Sequence, residues 1–285
     1  MIMNNIESKV RDAVIHASTI FSDDKIAVCR KALEKEKNPN ALWILETILE
    51  NAETAEKTLR PTCDDTGIPH VFLEVGGKQA VSAEMLCAIQ RGVAEGLRAM
   101  PCRPMAVKGD DVQRLEQSVG LDDDPGALAM APVVIKSVNE DVVRLHLLLQ
   151  GGGPEIRGKT YRVFHKHKLS VIIDEIVEWA SEAAGLLGCT PCSPAIGIGR
   201  THFEAASLML EAMVYGRFDV QNKIEQEITE RLNKTNVGPL GLGGGTTALA
   251  TFLRVGPQRA SGVRIVCLRL CCCVEPRVSS VLLSD

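Results

Sequence analysis

Between Pro61 and Gly67 the chain reads Pro-Thr-Cys-Asp-Asp-Thr-Gly, a short stretch that holds a thiol, two carboxylates and a hydroxyl. A metal-binding thiolate followed two positions later by a carboxylate would set a general base beside a metal-held substrate. Asp-Asp-Thr-Gly is also a turn sequence, because Asp bonds its own backbone and Gly supplies positive φ. The adjacent thiol is what favours chemistry at Cys63, Asp64 and Asp65. A second thiol group, Cys189-Thr-Pro-Cys192, has a spacing that suits disulfide exchange, zinc or an iron-sulfur cluster. Pro191 and Pro194 make it a rigid loop rather than the start of a redox helix. A structural zinc would need a second close pair, and the candidate is Cys271-Cys272-Cys273. Three adjacent thiols cannot all converge on one ion without unusual backbone turns.

Other candidates carry less. Cys29 and Cys87 lie in helix-like apolar stretches, where free cysteine behaves as a small hydrophobe. The glycine-rich runs Gln150-Gly-Gly-Gly and Leu240-Gly-Leu-Gly-Gly-Gly lack the Gly-Lys-Ser/Thr of a P-loop. They can still bring backbone N–H groups close to an anion such as a carboxylate. His165-Lys-His167 reads as a solvated basic turn, and His202 stays a candidate because it follows the cysteine loop.

These residues must be held by an α/β fold. Apolar residues at three- and four-residue spacing predict helices over 7–18, 23–36 and 40–59, which together form a helical N-terminal lobe over about residues 1–60. Val71–Gly77 reads as a strand, Ser82–Met100 as a helix, and 131–140 with 141–150 as two strands joined in a hairpin. A long helix over 170–188, an apolar one over 205–214 and a charged one over 221–233 precede the strand-like run 263–270. The glycine and cysteine loops fall at the ends of these elements, around a mixed sheet. No repeat and no linker is evident, so residues 1–285 are expected to form a single domain.

Composition excludes several functions. The 285 residues carry 32 Lys and Arg against 36 Asp and Glu, a net charge of -4, so there is no basic excess to neutralise phosphates, and nucleic acid is not the expected partner. No apolar run approaches the roughly 18 residues that span a bilayer, which predicts a cytoplasmic protein without a membrane partner. Ten cysteines in a reducing compartment point to metal ligation, catalysis or packing rather than disulfides.

In order, Pro61-Thr-Cys-Asp-Asp-Thr-Gly67, Arg103-Pro, Gly151-Gly-Gly, Cys189-X-Pro with Gly197-Ile-Gly-X-X-Thr201, Asn236-Val-Gly-Pro-Leu-Gly-Leu-Gly-Gly and Cys273-X-X-X-Arg277 resemble the class I, iron-sulfur-dependent fumarate hydratase and L(+)-tartrate dehydratase family. The likeness runs from about residue 40 to the C-terminus and is to the alpha subunit, or N-terminal half. It implies a [4Fe-4S] cluster held by Cys63, Cys189 and Cys273, with Cys192 and Cys272 as the alternative thiols. It also implies a catalytic Asp65, with Asp64, Arg103 and Gly153 contacting a small dicarboxylate. Two positions depart from the family pattern: Asp64 replaces the usual Gln, and Met105 the Asn that follows Arg-Pro. The family's remaining substrate residues belong to a beta subunit or second domain. The expectation is therefore a hydro-lyase alpha subunit completed by a beta subunit in an α2β2 heterotetramer, acting on fumarate and malate. L(+)-tartrate dehydration and an inactive metal-binding structural subunit are the alternatives.

Overall fold

The computed structural model describes residues 2–100 and 102–284. In chain order these form α1 (Ile2–Thr19), α2 (Asp23–Lys35), α3 (Pro39–Thr58), β1 (Ile68–Gly76), α4 (Ala83–Ala99) and α5 (Asp111–Glu116). Then come β2 (Val134–Val138), β3 (Val143–Gln150), α6 (Gly152–Glu155), β4 (Lys159–Phe164), α7 (Leu169–Leu187) and β5 (Ser193–Gly199). The chain closes with α8 (His202–Tyr215), α9 (Lys223–Asn233), β6 (Phe252–Val255), β7 (Val263–Cys271) and β8 (Arg277–Leu282). The fold is α/β, with two mixed sheets of four strands. None of the described helices is long and apolar enough to cross a membrane.

Contacts divide the chain into two compact units. The first is Met1–Ile20, Ala52–Gly152 and Arg277–Asp285; the second is Phe21–Asn51 and Gly153–Pro276. The helices predicted over the first 60 residues are present, but α1 belongs to the first unit and α2 to the second, while α3 runs through the boundary. Both units are discontinuous in sequence, so no linker marks the division.

In the first unit the sheet order is β2-β1-β3-β8. The nearly continuous apolar run of β3 lies in the middle and is buried along most of its length. With Val71 and Leu73 of β1 it packs against Val10 and Val14 of α1 and Ile89 and Val93 of α4. Such two-sided burial selects continuous rather than alternating hydrophobicity. The hairpin expected between 131–140 and 141–150 does not form, because β1 lies between the two strands, parallel to β2 and antiparallel to β3. The link from β2 to β3 instead crosses the end of β1 above Gly76. A Cβ there would sit 2.2 Å from the Glu140 carbonyl oxygen, so glycine is what opens the crossing. The Gly76 N–H donates to the Val142 carbonyl at 2.8 Å and fixes it.

In the second unit the order is β4-β7-β5-β6. Strand β5 (Ser-Pro-Ala-Ile-Gly-Ile-Gly) is buried at every residue, although its Pro and Gly content reads as loop. Small side chains let α8 approach it closely, and tertiary packing overrides the weak strand propensity. Thr201 caps α8 by accepting the Glu204 N–H, which gives the threonine of the Gly-Ile-Gly-X-X-Thr motif a structural task.

Candidate active site

The first unit brings together Cys63, Asp64, Asp65, Arg103 and Arg277. They lie on the loop between α3 and β1, on the segment after α4 and at the first residue of β8. The loop is zipped to the Arg103 segment by the Arg103 N–H donating to the Asp64 carbonyl at 3.0 Å and by the Thr66 hydroxyl donating to the Arg103 carbonyl. Asp65 is held at both carboxylate oxygens. Oδ1 accepts the Gly67 N–H at 3.0 Å and Oδ2 accepts the Gly152 N–H at 2.9 Å. The triple-glycine segment thus offers an N–H to a carboxylate, but the carboxylate is the chain's own Asp65. Gly152 makes this bond; Gly153 is exposed and a Cβ there would meet nothing.

Asp64 is exposed, and its Oδ2 lies 3.3 Å from Arg103 Nε in an exposed ion pair. The extra negative charge relative to the family pattern is therefore matched by Arg103. Met105 packs against the first unit's core.

Sequence reasoning assigned no role to Arg277. Its side chain is buried, donates from Nη1 to the Asp65 carbonyl at 2.7 Å, and leaves Nε without a hydrogen-bond partner. Gly67, at φ +75°, gives it room, since a Cβ would come 2.4 Å from Nη2. Burial pushes the Cys63 thiol above its ordinary pKa, while the Asp65 backbone N–H and the Arg277 charge pull the other way. The nearby Cys102 is likewise raised by burial and opposed by Arg277. The motif spacing Cys273-X-X-X-Arg277 was the sequence signal for this arginine.

The second unit holds the other thiols. The Cys273 N–H donates to the Cys189 carbonyl at 2.9 Å, so these two residues are tied through their backbones. Cys189 is exposed and Cys273 half-buried, whereas Cys192, Cys271 and Cys272 are buried. Desolvation pushes Cys192 up to about 12 and holds Cys271 and Cys272 well above the usual thiol range. Cys192 serves the backbone instead: its N–H donates to Thr247 and its carbonyl accepts from Leu249. The Asn236–Gly244 motif docks beside it, with the Thr190 hydroxyl donating to the Gly238 carbonyl at 2.6 Å and the Leu240 N–H donating to the Thr190 carbonyl. This glycine-rich run is a brace for the cysteine loop.

The Cys271–Pro276 turn is braced from within. Glu275 is fully buried and paired with both terminal nitrogens of Arg269, at 2.8 and 3.0 Å, while the Lys25 ammonium donates to the Glu275 carbonyl at 3.0 Å. His165 is buried rather than solvated and bonds the Ser261 carbonyl, and His202 is the exposed first residue of α8. Among the described residues no group of three or more His, Cys, Asp or Glu side chains is gathered in metal-holding geometry.

The profile of the family described as fumarate hydratase (fumerase) matches residues 7–281, and the chain belongs to that family. It is 26% identical over 278 residues to the Methanocaldococcus jannaschii protein named "Putative L(+)-tartrate dehydratase subunit alpha", covering 92% of this chain and 94% of that one. To the L(+)-tartrate dehydratase subunit alpha of Escherichia coli strain K12 it is 22% identical over 268 residues, covering 92% and 86%.

Proposed function

We propose that the chain is the alpha subunit of a [4Fe-4S] hydro-lyase that adds water to, or removes it from, a four-carbon dicarboxylate, fumarate and malate in the first instance. Cys63, Cys189 and Cys273 would hold the cluster. The donor set suits it: these three are the less buried thiols of their loops, and ligation requires the thiolate, which deep burial penalises. When bound, such a three-cysteine cluster supplies an open iron position that polarises a substrate carboxylate and hydroxyl.

The chain's own residues do the rest. Arg103 binds a substrate carboxylate through charge-assisted hydrogen bonds, in competition with Asp64. Asp65 moves the proton at the carbon next to the leaving hydroxyl, using lone pairs that the Gly67 and Gly152 N–H groups leave open. Those two bonds set the direction of its carboxylate, and Arg277 holds the backbone beneath it. The observation that carries this reading is the clamped Asp65, two residues beyond Cys63 and on the same loop as the carboxylate that pairs with Arg103.

The names of the relatives support a beta subunit that completes the site, and they favour L(+)-tartrate as the second substrate reading. The test is anaerobic co-production with the beta subunit, cluster reconstitution, and turnover assays with malate, fumarate and L(+)-tartrate. Turnover of one of them supports the reading. A cluster-loaded complex inert toward all three refutes it.

A further inference from the structure

Lys25 lies near the start of α2 in the sequence Asp23-Asp24-Lys25, where a charged side chain would ordinarily be solvated. It is instead 2% exposed. Its ammonium has no carboxylate partner among the described residues. Its contacts are the Glu275 carbonyl at 3.0 Å, the face of the Phe21 ring with 4.0 Å to the centroid, and more distantly Phe218. The nearby Glu275 carboxylate is engaged on both oxygens by Arg269, and Arg269 Nε turns to Glu155. Burying a cation with only a carbonyl and a ring face for company costs more than those contacts return.

The Glu275 carbonyl that Lys25 bonds belongs to the turn of Cys271, Cys272 and Cys273, closed by the Glu275 N–H donating to the Cys272 carbonyl at 2.9 Å. Burial is the largest influence on the ammonium and lowers its pKa, while the thiols of Cys29, Cys273, Cys272 and Cys271 act in the opposite direction. The Lys25 ammonium is thus anchored to the turn that carries Cys273, the one half-buried cysteine of the triplet, where the Glu275 carboxylate is already taken up by Arg269.

We propose that Lys25 is a positioning residue whose buried charge compensates the negative charge brought by a thiolate-ligated iron-sulfur cluster at Cys273, and that its bond to the Glu275 carbonyl aims that thiol. This rests on the cluster reading given above. Three thiolates on a [4Fe-4S]2+ core leave a net negative charge, and a fixed internal cation stabilises it more than water does because the surroundings need not reorganise. The same cation burdens the cluster-free chain.

The two consequences have opposite signs, which separates this role from ordinary packing. Lys25→Met keeps the side chain's length and removes its charge; Lys25→Gln keeps a donor for the Glu275 carbonyl without the charge. Each variant and the wild type would be melted as apoprotein, then reconstituted anaerobically with iron and sulfide and challenged with a chelator, iron and sulfide being counted with time. The expected result is that apo Lys25→Met melts above the wild type by at least about 2–4 °C. Both variants should lose cluster to the chelator about tenfold faster than the wild type, the order expected for removing one opposite charge nearby. A fall in both apo stability and cluster retention would reduce Lys25 to packing and overturn the proposal. Retention of the cluster by Lys25→Gln at the wild-type rate would overturn the charge argument. If the wild-type chain takes up no iron and sulfide, the cluster reading fails first, whatever the apoprotein melts show.

Discussion

Replacing Asp65 by Asn removes a charge and a base, and in this structure it also breaks a clamp. The two carboxylate oxygens accept from different N–H groups, Gly67 at 3.0 Å and Gly152 at 2.9 Å. An amide can accept from only one of them and turns its NH2 toward the other donor. Loss of a general base lowers turnover by about 10² to 10⁴, equivalent to about 2.7–5.5 kcal/mol at the transition state. The mismatched donor adds about 1–3 kcal/mol of destabilisation, and for a unit of this size each kcal/mol lowers Tm by about 2–4 °C. The assay is kcat of the variant, reconstituted with its beta subunit, beside its iron content and melting temperature. A kcat within twofold of wild type at equal iron content refutes a proton-transfer role for Asp65. A kcat loss that tracks lost iron instead makes Asp65 a support of the loop.

Asp64→Asn releases Arg103 from an exposed ion pair worth about 0.2–1 kcal/mol, so KM for the dicarboxylate should fall by about 1.4- to 5-fold with kcat little changed; an increased KM in steady-state assays contradicts the competition. Gly67→Ala puts a side chain at φ +75° and 2.4 Å from Arg277 Nη2, and should cost about 1–3 kcal/mol in denaturant titration; a cost below about 0.5 kcal/mol means that Arg277 moves aside. Arg269→Met strands the buried Glu275 carboxylate and should destabilise by about 3–5 kcal/mol, whereas the double variant Arg269→Met, Glu275→Leu should recover much of that loss. Equal destabilisation in single and double variants argues against the buried pair as the brace.

Much of the local architecture can be read from the chain. The helices read over Ser82–Met100 and 221–233 are present as α4 and α9, capped by Ser82, which accepts the Met85 N–H, and by an Asn222–Glu225 capping box. The chemistry of the 61–67 loop is also legible, because thiol, carboxylates and glycine stand side by side. What stays hidden depends on contacts made across long stretches of chain. Lys25 looks like a solvated first-turn lysine until the Glu275 backbone carbonyl, 250 residues on, accepts a hydrogen bond from its ammonium. Arg277 looks like the end of a motif until its guanidinium reaches the Asp65 carbonyl, 212 residues back. Strand β5 carries two glycines and a proline that speak for a loop, and only burial between α8 and its neighbours makes it a strand. The skipped hairpin of β2 and β3 has its signal in Gly76, the last residue of β1, which permits the crossing but does not announce it.

The central claim is that Cys63, Cys189 and Cys273 together hold one iron-sulfur cluster. Its most direct test is iron and acid-labile sulfide per chain, with EPR, after anaerobic reconstitution of the wild type and of single serine variants. The account predicts a cluster in the wild type, its loss in Cys63→Ser, Cys189→Ser and Cys273→Ser, and its retention in Cys29→Ser and Cys87→Ser. A full complement of iron and sulfide in Cys63→Ser contradicts it.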